Sequence, residues 1–186
     1  MAKGLQFFLP LFLFMLLLKT TSSHTAYRHD LVRSSCVHAS YPNICLRTLS
    51  TYGSSASTPR DLAQLAVRVS LAHVRRGSSF LSQLPVRGRR ARGALSDCVE
   101  QMGDAMDELS STLSDLQHLR RGGDFRWQMS NAETWVSAAL TNEDTCLDGF
   151  QEIGVNVRAD VRRRITNVAR VTSNALYLIN LLDESP

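Results

Sequence analysis

The sequence predicts an all-α protein, an antiparallel four-helix bundle preceded by an N-terminal helical hairpin. Apolar residues recur at three- and four-residue spacing along most of the chain, which is the period of an amphipathic helix. Aromatic residues make up only 7% of the 186 residues, so we expect a mainly aliphatic core of the kind that helical bundles contain. With 44% hydrophobic and 20% charged residues, the composition is globular and favours one core rather than two.

The first 23 residues are predicted to be a secretory signal peptide. Lys3 precedes an apolar run of 14 residues, from Leu5 to Leu18, which is followed by small and polar residues. The run is shorter than the roughly 20 residues that cross a bilayer, and it contains Pro10. We therefore expect cleavage rather than anchoring, with residues 24–186 forming a secreted, extracellular domain that has no membrane segment.

A helical hairpin followed by a loop is predicted within residues 24–57. Pro42 is placed to open the second helix of the hairpin, and Cys36 and Cys45 flank the turn between its two helices. A disulfide between these cysteines would close the hairpin. The low-complexity run 53–58, GSSAST, is expected to be a loop.

Four longer helices are predicted within residues 58–186. Thr58 and Asp61 have the spacing of a capping box around a proline at the first helical position. The second long helix has the clearest apolar period and is expected to end before Gly122, and the fourth is expected to begin near Ala159. The apolar stripes are Leu62, Leu65, Val69, Ala72, Phe80 and Leu84; Leu95, Cys98, Met102, Ala105, Leu109, Leu113 and Leu116; Met129, Ala132, Val136, Ala139, Leu140, Leu147 and Phe150; and Val161, Ile165, Val168, Ala175, Leu178, Ile179 and Leu182.

Helix geometry pairs the remaining two cysteines. Cys98 and Cys146 lie at similar distances on either side of a turn near residues 120–123, roughly 30 Å from it at 1.5 Å per residue. Both also fall on the apolar stripes of their helices. The expected disulfides are therefore Cys36 with Cys45 and Cys98 with Cys146, as an oxidising compartment would allow.

The charge of the chain does not favour nucleic-acid binding. The formal net charge is +4, but both lysines, Lys3 and Lys19, fall in the predicted signal peptide. The remaining 19 arginines nearly balance 17 acidic residues, whereas nucleic-acid binders need a strongly basic face. The basic run 87–92, RGRRAR, is expected to be a solvated connection or a helix start, because it has no interleaved aromatic residues for base stacking.

The sequence shows no motif for catalysis, a metal or a cofactor. The five histidines are scattered, none has the i, i+4 spacing of a helical zinc pair, and there is no Cys-x-x-Cys. A nucleophile elbow, a phosphate-binding glycine loop and a dinucleotide fingerprint are also absent from the sequence. We therefore expect a binding protein rather than an enzyme, with no cofactor and no metal. The histidines are His24, His29, His38, His73 and His118.

A polar surface on the second and third long helices, here called the acidic strip, is the main candidate for a binding site. It lies opposite the core stripes of both helices and combines carboxylates with small hydroxyl groups. It could be an ordinary solvated face, or a docking surface for a positively charged partner. Its predicted residues are Glu100, Asp104, Asp107, Glu108 and Asp115 on the second helix and Thr134, Ser137, Thr141, Asp144, Thr145 and Asp148 on the third.

Four segments together resemble the plant invertase and pectin methylesterase inhibitor family. The resemblance covers nearly all of the predicted mature chain and includes all four cysteines. It implies a four-helix bundle preceded by a hairpin, with one disulfide in the hairpin and one between two bundle helices, in a protein of the plant cell wall or apoplast. The segments are VRSSCVHASYPNICLRTLS (32–50), ALSDCVEQMGDAMDELSSTLSDL (94–116), TWVSAALTNEDTCLDGF (134–150) and NVARVTSNALYLINLL (167–182).

Within the family, the sequence is more similar to the pectin methylesterase inhibitors. Invertase inhibitors typically carry Pro-Lys-Phe before or around the third bundle helix, and this tripeptide does not occur here. The resemblance implies an inhibitor that blocks the pectin-binding cleft of the esterase in a stoichiometric complex and so limits de-esterification of homogalacturonan. We expect a monomer, and a free-standing inhibitor rather than the pro-region of an esterase, because the sequence ends at Pro186 without a catalytic domain. The alternatives are an inhibitor of acid invertase and a secreted four-helix signalling or structural module.

The resemblance also implies that the acidic strip is the contact surface for the esterase. The implied contacts are strongest at Thr141, Glu143, Asp144 and Thr145, which lie in the family-like segment 134–150. Glu143 is included on the resemblance alone, because its helical phase points toward the core.

Overall fold

The computed structural model describes residues 30–52, 56–120, 122–151 and 153–183, which contain six helices and no strand. The predicted signal peptide lies outside these residues. The helices are α1 (30–36), α2 (Pro42–Ser50), α3 (Pro59–Ser82), α4 (Arg89–Gln117), α5 (Phe125–Asp148) and α6 (Val155–Asp183).

Helices α3 to α6 form an antiparallel four-helix bundle around one aliphatic core. Each packs against two others: α3 and α5 both lie between α4 and α6. Fully buried side chains in the centre include Met102, Leu109, Ile165 and Ile179. The predicted fold class is confirmed. Helix α4 ends before Gly122 as predicted, whereas α6 begins at Val155, four residues earlier than expected.

The N-terminus of α3 is fixed by the predicted capping box. The Thr58 hydroxyl accepts a hydrogen bond from the Asp61 amide at 3.1 Å, and an Asp61 carboxylate oxygen accepts one from the Thr58 amide at 3.0 Å. Burial alone would raise the pKa of Asp61, but hydrogen bonds from Ser57 and Thr58 lower it overall. This start places the apolar stripe of α3 toward α4 and α6.

Gly77 allows α3 to pack closely against its two neighbours. A Cβ at this position would lie 3.1 Å from Met102 Cε on α4 and 3.3 Å from Val168 Cγ2 on α6. The residue is buried and the helix continues through it. Arg76 and Gly77 interrupt the spacing of the apolar stripe in the sequence, and in the structure Gly77 is a site of close helix packing.

The carbonyl groups at the end of α4 receive hydrogen bonds from side chains at the start of α3. Arg60 donates from Nε to Leu116 O at 2.9 Å and from Nη2 to Gln117 O at 2.8 Å. Gln64 Nε2 also donates to Leu116 O, at 3.0 Å. A cation at this position is favourable because the last carbonyls of a helix carry partial negative charge.

The hairpin of α1 and α2 is joined to the bundle through α6. Cys36 and Cys45 form the predicted disulfide, with a Cα–Cα distance of 5.6 Å. The side chain of Asn174 accepts a hydrogen bond from the Tyr41 amide at 2.8 Å and donates one to the Tyr41 carbonyl at 3.1 Å. The guanidinium of Arg170 lies 5.4 Å from the centre of the Tyr41 ring. One residue of the turn is thus bound through its backbone and its ring.

Candidate functional site

Helices α4 and α5 are held side by side by a covalent bond and by polar contacts between them. The disulfide between Cys98 and Cys146 joins the two buried stripes, with a Cα–Cα distance of 4.3 Å. Asn142 Nδ2 on α5 donates a hydrogen bond of 2.9 Å to Glu108 Oε2 on α4. These links fix the register of the two helices that carry the acidic strip.

Most of the acidic strip lies on the outer surface, as expected from helical phase. The exposed carboxylates of the strip form no ion pair with a described residue, because the ion pair found among the described residues joins Arg163 to Asp160, outside the strip. The hydroxyls of Thr134, Thr141 and Thr145 donate to backbone carbonyls within α5, which leaves their oxygens free to accept. The exposed predicted residues are Glu100, Asp104, Asp107, Thr134, Ser137, Thr141, Asp144, Thr145 and Asp148.

Glu143 does not belong to the acidic strip, and the structure corrects this expectation. Its side chain is 0% exposed and faces α6, where the Thr172 hydroxyl donates a 2.8 Å hydrogen bond to Oε1. Oε2 has no hydrogen-bond partner. Burial, together with the nearby Asp144 and Glu108 charges, raises the pKa of Glu143 to about 8, against the opposing effect of Thr172. Glu143 is therefore a neutral acid inside the bundle below that pH.

Glu108 and Asp115 are half-buried along the α4–α5 contact rather than fully outward. Burial raises the pKa of Glu108, and Asp104 and Asp107 raise it further, while the hydrogen bond from Asn142 opposes this. Burial also raises the pKa of Asp115, against the influence of His118 and a hydrogen bond from Trp135. These two acids of α4 therefore lie at the edge of the acidic strip and contact side chains of α5.

Two exposed tryptophans were not identified from the sequence. Trp127 and Trp135 lie on α5 and are 68% and 42% exposed. Trp127 lies on the side of the helix that carries Thr134 and Thr141, whereas Trp135 lies about 80° further around the helix. Trp135 faces α4, where its side chain forms a hydrogen bond with Asp115. Neither tryptophan belongs to the apolar stripe of α5. Their position outside this stripe is the sequence signal that could have indicated exposed side chains. Exposed tryptophans are concentrated in protein interfaces and often dominate their binding energy.

A polar cleft adjoins the C-terminal end of the acidic strip. It has a volume of about 730 Å³ and lies between the end of α5 and the start of α6, and its lining includes Asp144, Asp148, Arg158 and Arg162. Arg158 Nη1 donates a 2.7 Å hydrogen bond to Gln151 O. The cleft gives the surface near Asp144 a concave edge.

The described residues provide no structural basis for a metal centre or a membrane span. Within them, no group of three or more His, Cys, Asp or Glu side chains is arranged to hold a metal ion. None of the described helices is both long and apolar enough to cross a membrane.

The described residues form a disulfide-linked helical bundle with an exposed face of carboxylates, hydroxyls and tryptophans. The sequence profile of the plant invertase/pectin methylesterase inhibitor family matches residues 30–178. The chain belongs to this family, which is a family of protein inhibitors and not of enzymes.

Particular relatives narrow this comparison. The chain is 46% identical over 196 aligned positions to Pectinesterase inhibitor 3 of Arabidopsis thaliana, covering 100% of this chain and 96% of the relative. It is 38% identical to Pectinesterase inhibitor 9 of Arabidopsis thaliana, with 95% and 93% covered. It is also 38% identical to the 21 kDa protein of Daucus carota, with 89% and 90% covered.

Solved structures support the same fold. The crystal structure of mutant form A of a pectin methylesterase inhibitor from Arabidopsis superposes with a TM-score of 0.64 at 21% identity, covering 78% of this chain and 93% of the other. A second crystal structure, of a pectin methylesterase inhibitor from Arabidopsis thaliana, gives 0.57 at 21% identity.

Proposed function

We propose that this protein inhibits pectin methylesterase by forming a stoichiometric complex in which the bundle covers the pectin-binding cleft of the enzyme. Such a complex would limit de-esterification of cell-wall homogalacturonan. The observation that carries the proposal is the 46% identity, over the whole chain, to a protein named as a pectinesterase inhibitor. The two other relatives compared include a second pectinesterase inhibitor, which favours the esterase over acid invertase as the target.

The proposed contact surface is the acidic strip together with Trp127 and Trp135. Its residues lie on two long helices whose register is fixed by a disulfide, so little conformational entropy is lost when a partner binds. The small hydroxyls of α5 permit close approach, and the tryptophans provide apolar area that an acidic surface otherwise lacks. The unpaired carboxylates favour a partner with positive potential around its cleft.

Inhibition of this kind requires no reacting group on the inhibitor. Occlusion needs only a rigid surface that excludes a polymeric substrate from the cleft of the enzyme. Glu143 and Thr172 would then act inside the bundle, where they fix the packing of α5 on α6. Secretion of residues 24–186 as a monomer, after removal of residues 1–23, is part of the proposal.

The decisive experiment is a titration of the oxidised mature protein against a plant pectin methylesterase and, in parallel, an acid invertase. We expect loss of esterase activity that saturates near one inhibitor per enzyme, with the invertase unaffected. Loss of invertase activity alone would assign the other branch of the family. Failure to inhibit either enzyme would overturn the proposed function.

A further inference from the structure

A second groove, with an apolar floor and polar side chains around it, lies between α2 and α3, on the hairpin side of the bundle. It has a volume of about 470 Å³, within the size range of small-ligand sites. Helix α2 and the turn after it contribute one wall, and successive turns of α3 contribute the other. Its polar lining residues include Arg47, Thr51, Tyr52, Arg68, His73 and Arg76.

The groove is strongly cationic and contains no carboxylate in its lining. Arg47, Arg68 and Arg76 are exposed, and none of them forms an ion pair with an acidic side chain of the described residues. Arg76 uses only Nε, to Ala72 O within its own helix at 3.0 Å. Three guanidinium groups are therefore available to an anionic ligand.

The pKa of His73 is affected by the positive charges of the groove. It is partly buried, and Asn167 Nδ2 on α6 lies 3.5 Å from its Nδ1. Burial lowers the pKa of His73, and the charges of Arg76 and Arg47 lower it further. The arginines on both walls are thus close enough to act on one point between them.

The spacing of the arginines favours an extended anion over a single acid. Arg68 and Arg76 are two helical turns apart, which is about 12 Å along α3. One carboxylate cannot bridge that distance, whereas a chain with regularly repeated carboxylates can engage both guanidiniums. Arginine suits this role because its planar guanidinium binds a carboxylate through two parallel hydrogen bonds.

The remaining lining residues are suited to a sugar backbone. Tyr52 lines the groove and is 52% exposed as a residue. Leu65, Val69 and Ala72 also form part of the lining. An aromatic ring and an apolar floor can contact the C–H faces of sugar rings while hydroxyls lie at the rim.

We infer that the groove between α2 and α3 binds an acidic polysaccharide segment, an oligomer of uronic acid. The choice of a uronide rests on the proposed function, because hydrolysis of methyl esters on homogalacturonan leaves a chain of free carboxylates. The groove contains none of the acidic-strip residues. A single inhibitor could therefore hold the reaction product on one surface and the enzyme on another.

The test is calorimetric titration of the oxidised mature protein with a galacturonate hexamer, without any esterase present. The variant is Arg47→Gln with Arg68→Gln and Arg76→Gln, and the matched control is Arg89→Gln with Arg92→Gln and Arg126→Gln, three exposed arginines outside the groove. We expect salt-sensitive binding that the groove variant weakens by about tenfold or more, since each charge-assisted hydrogen bond contributes on that order. The control should bind like the parent protein.

Three outcomes would overturn the inference: no binding of the hexamer, equal weakening by the groove variant and its control, or equally tight binding of oligoglutamate. A fully methyl-esterified hexamer should not bind. Esterase inhibition is measured on the same variants and is expected to be unchanged. Hexamer binding by a protein that fails to inhibit the esterase would sink the proposed function alone.

Discussion

The acidic strip and the arginine groove are surfaces of opposite charge on one small bundle, and they are built differently. The strip lies on two long helices joined by a disulfide between their buried faces. The groove lies where a short helix of the hairpin meets α3, with its own disulfide and the contacts of Asn174 to Tyr41 nearby. The formal net charge of +4 therefore does not reveal that the two surfaces carry opposite charge. The rigidity of each surface depends on a different cross-link.

The largest expected effect is the loss of stability on removing a disulfide, and it should differ between the two disulfides. Replacing Cys98 and Cys146 by alanine opens a span of 48 residues, which in the chain-entropy model costs about 4 kcal/mol of unfolding free energy. Replacing Cys36 and Cys45 opens a span of 9 residues and should cost about 2.5 kcal/mol. Guanidinium denaturation of both variants checks the order. A larger loss from the hairpin pair would mean that the hairpin carries more of the stability than the bundle.

The next effect concerns the buried acid behind the strip. The pKa of Glu143 is raised from 4.5 to about 8 in the folded protein, so its contribution to stability is fully present below pH 4.5 and is lost as the pH rises toward 8. Glu143→Gln keeps the acceptor for Thr172 and cannot ionise. We expect the variant to gain stability relative to the parent between pH 5 and 8, on the order of 3 kcal/mol near pH 7.

Urea denaturation at several pH values measures this difference. Comparing the two proteins at each pH removes the contributions of the shared groups that do not interact with Glu143. Parallel stability curves would show that Glu143 ionises in the fold with an ordinary pKa.

A smaller effect is expected at the proposed contact itself. Thr141→Ala with Asp144→Ala should weaken esterase inhibition by about tenfold, because it removes an unpaired charge and a hydroxyl at the surface. Helicity should be unchanged, since both residues are exposed. The matched control is Ser50→Ala with Asp30→Ala, two exposed positions on the hairpin. Unaltered inhibition by the first pair would move the interface away from the strip.

The smallest effect is the response of inhibition to salt. Unpaired carboxylates facing a cationic partner attract less strongly as ions screen them, so the inhibition constant should rise several-fold between 50 and 500 mM NaCl. The Thr141 and Asp144 variant should show a shallower dependence. An inhibition constant that is flat in salt would point to Trp127 and Trp135 as the main contacts.

Local patterns in the sequence were sufficient to predict the bundle. The capping box at Thr58 and the stripe through Cys98 and Met102 depend on neighbours along the chain, and both disulfides follow from the phase and length of the helices. Glu143 illustrates a conflict between two signals. Its helical phase indicated the core and the resemblance indicated the surface, and burial against Thr172 agrees with the phase.

Features that depend on contacts between helices could not be predicted in the same way. The arginine groove combines Arg47 of α2 with Arg68 and Arg76 of α3, and no spacing in the sequence indicates that these helices pack together. Gly77 looked like an interruption because the close approach of Met102 and Val168 is visible only in three dimensions. Trp127 and Trp135 lie outside the apolar stripe of α5. Their position in the sequence does not indicate what fraction of each side chain the neighbouring helices cover.

Because Tyr41 is attached to Asn174, we expect the hairpin to separate from α6 as one unit. Both backbone groups of Tyr41 are bound by one amide side chain, so the turn cannot separate from α6 without breaking both hydrogen bonds at once. The amide proton of Tyr41 should therefore exchange with solvent only when the whole hairpin lifts away from the bundle. That one proton gives a direct measure of how often the hairpin wall of the arginine groove opens.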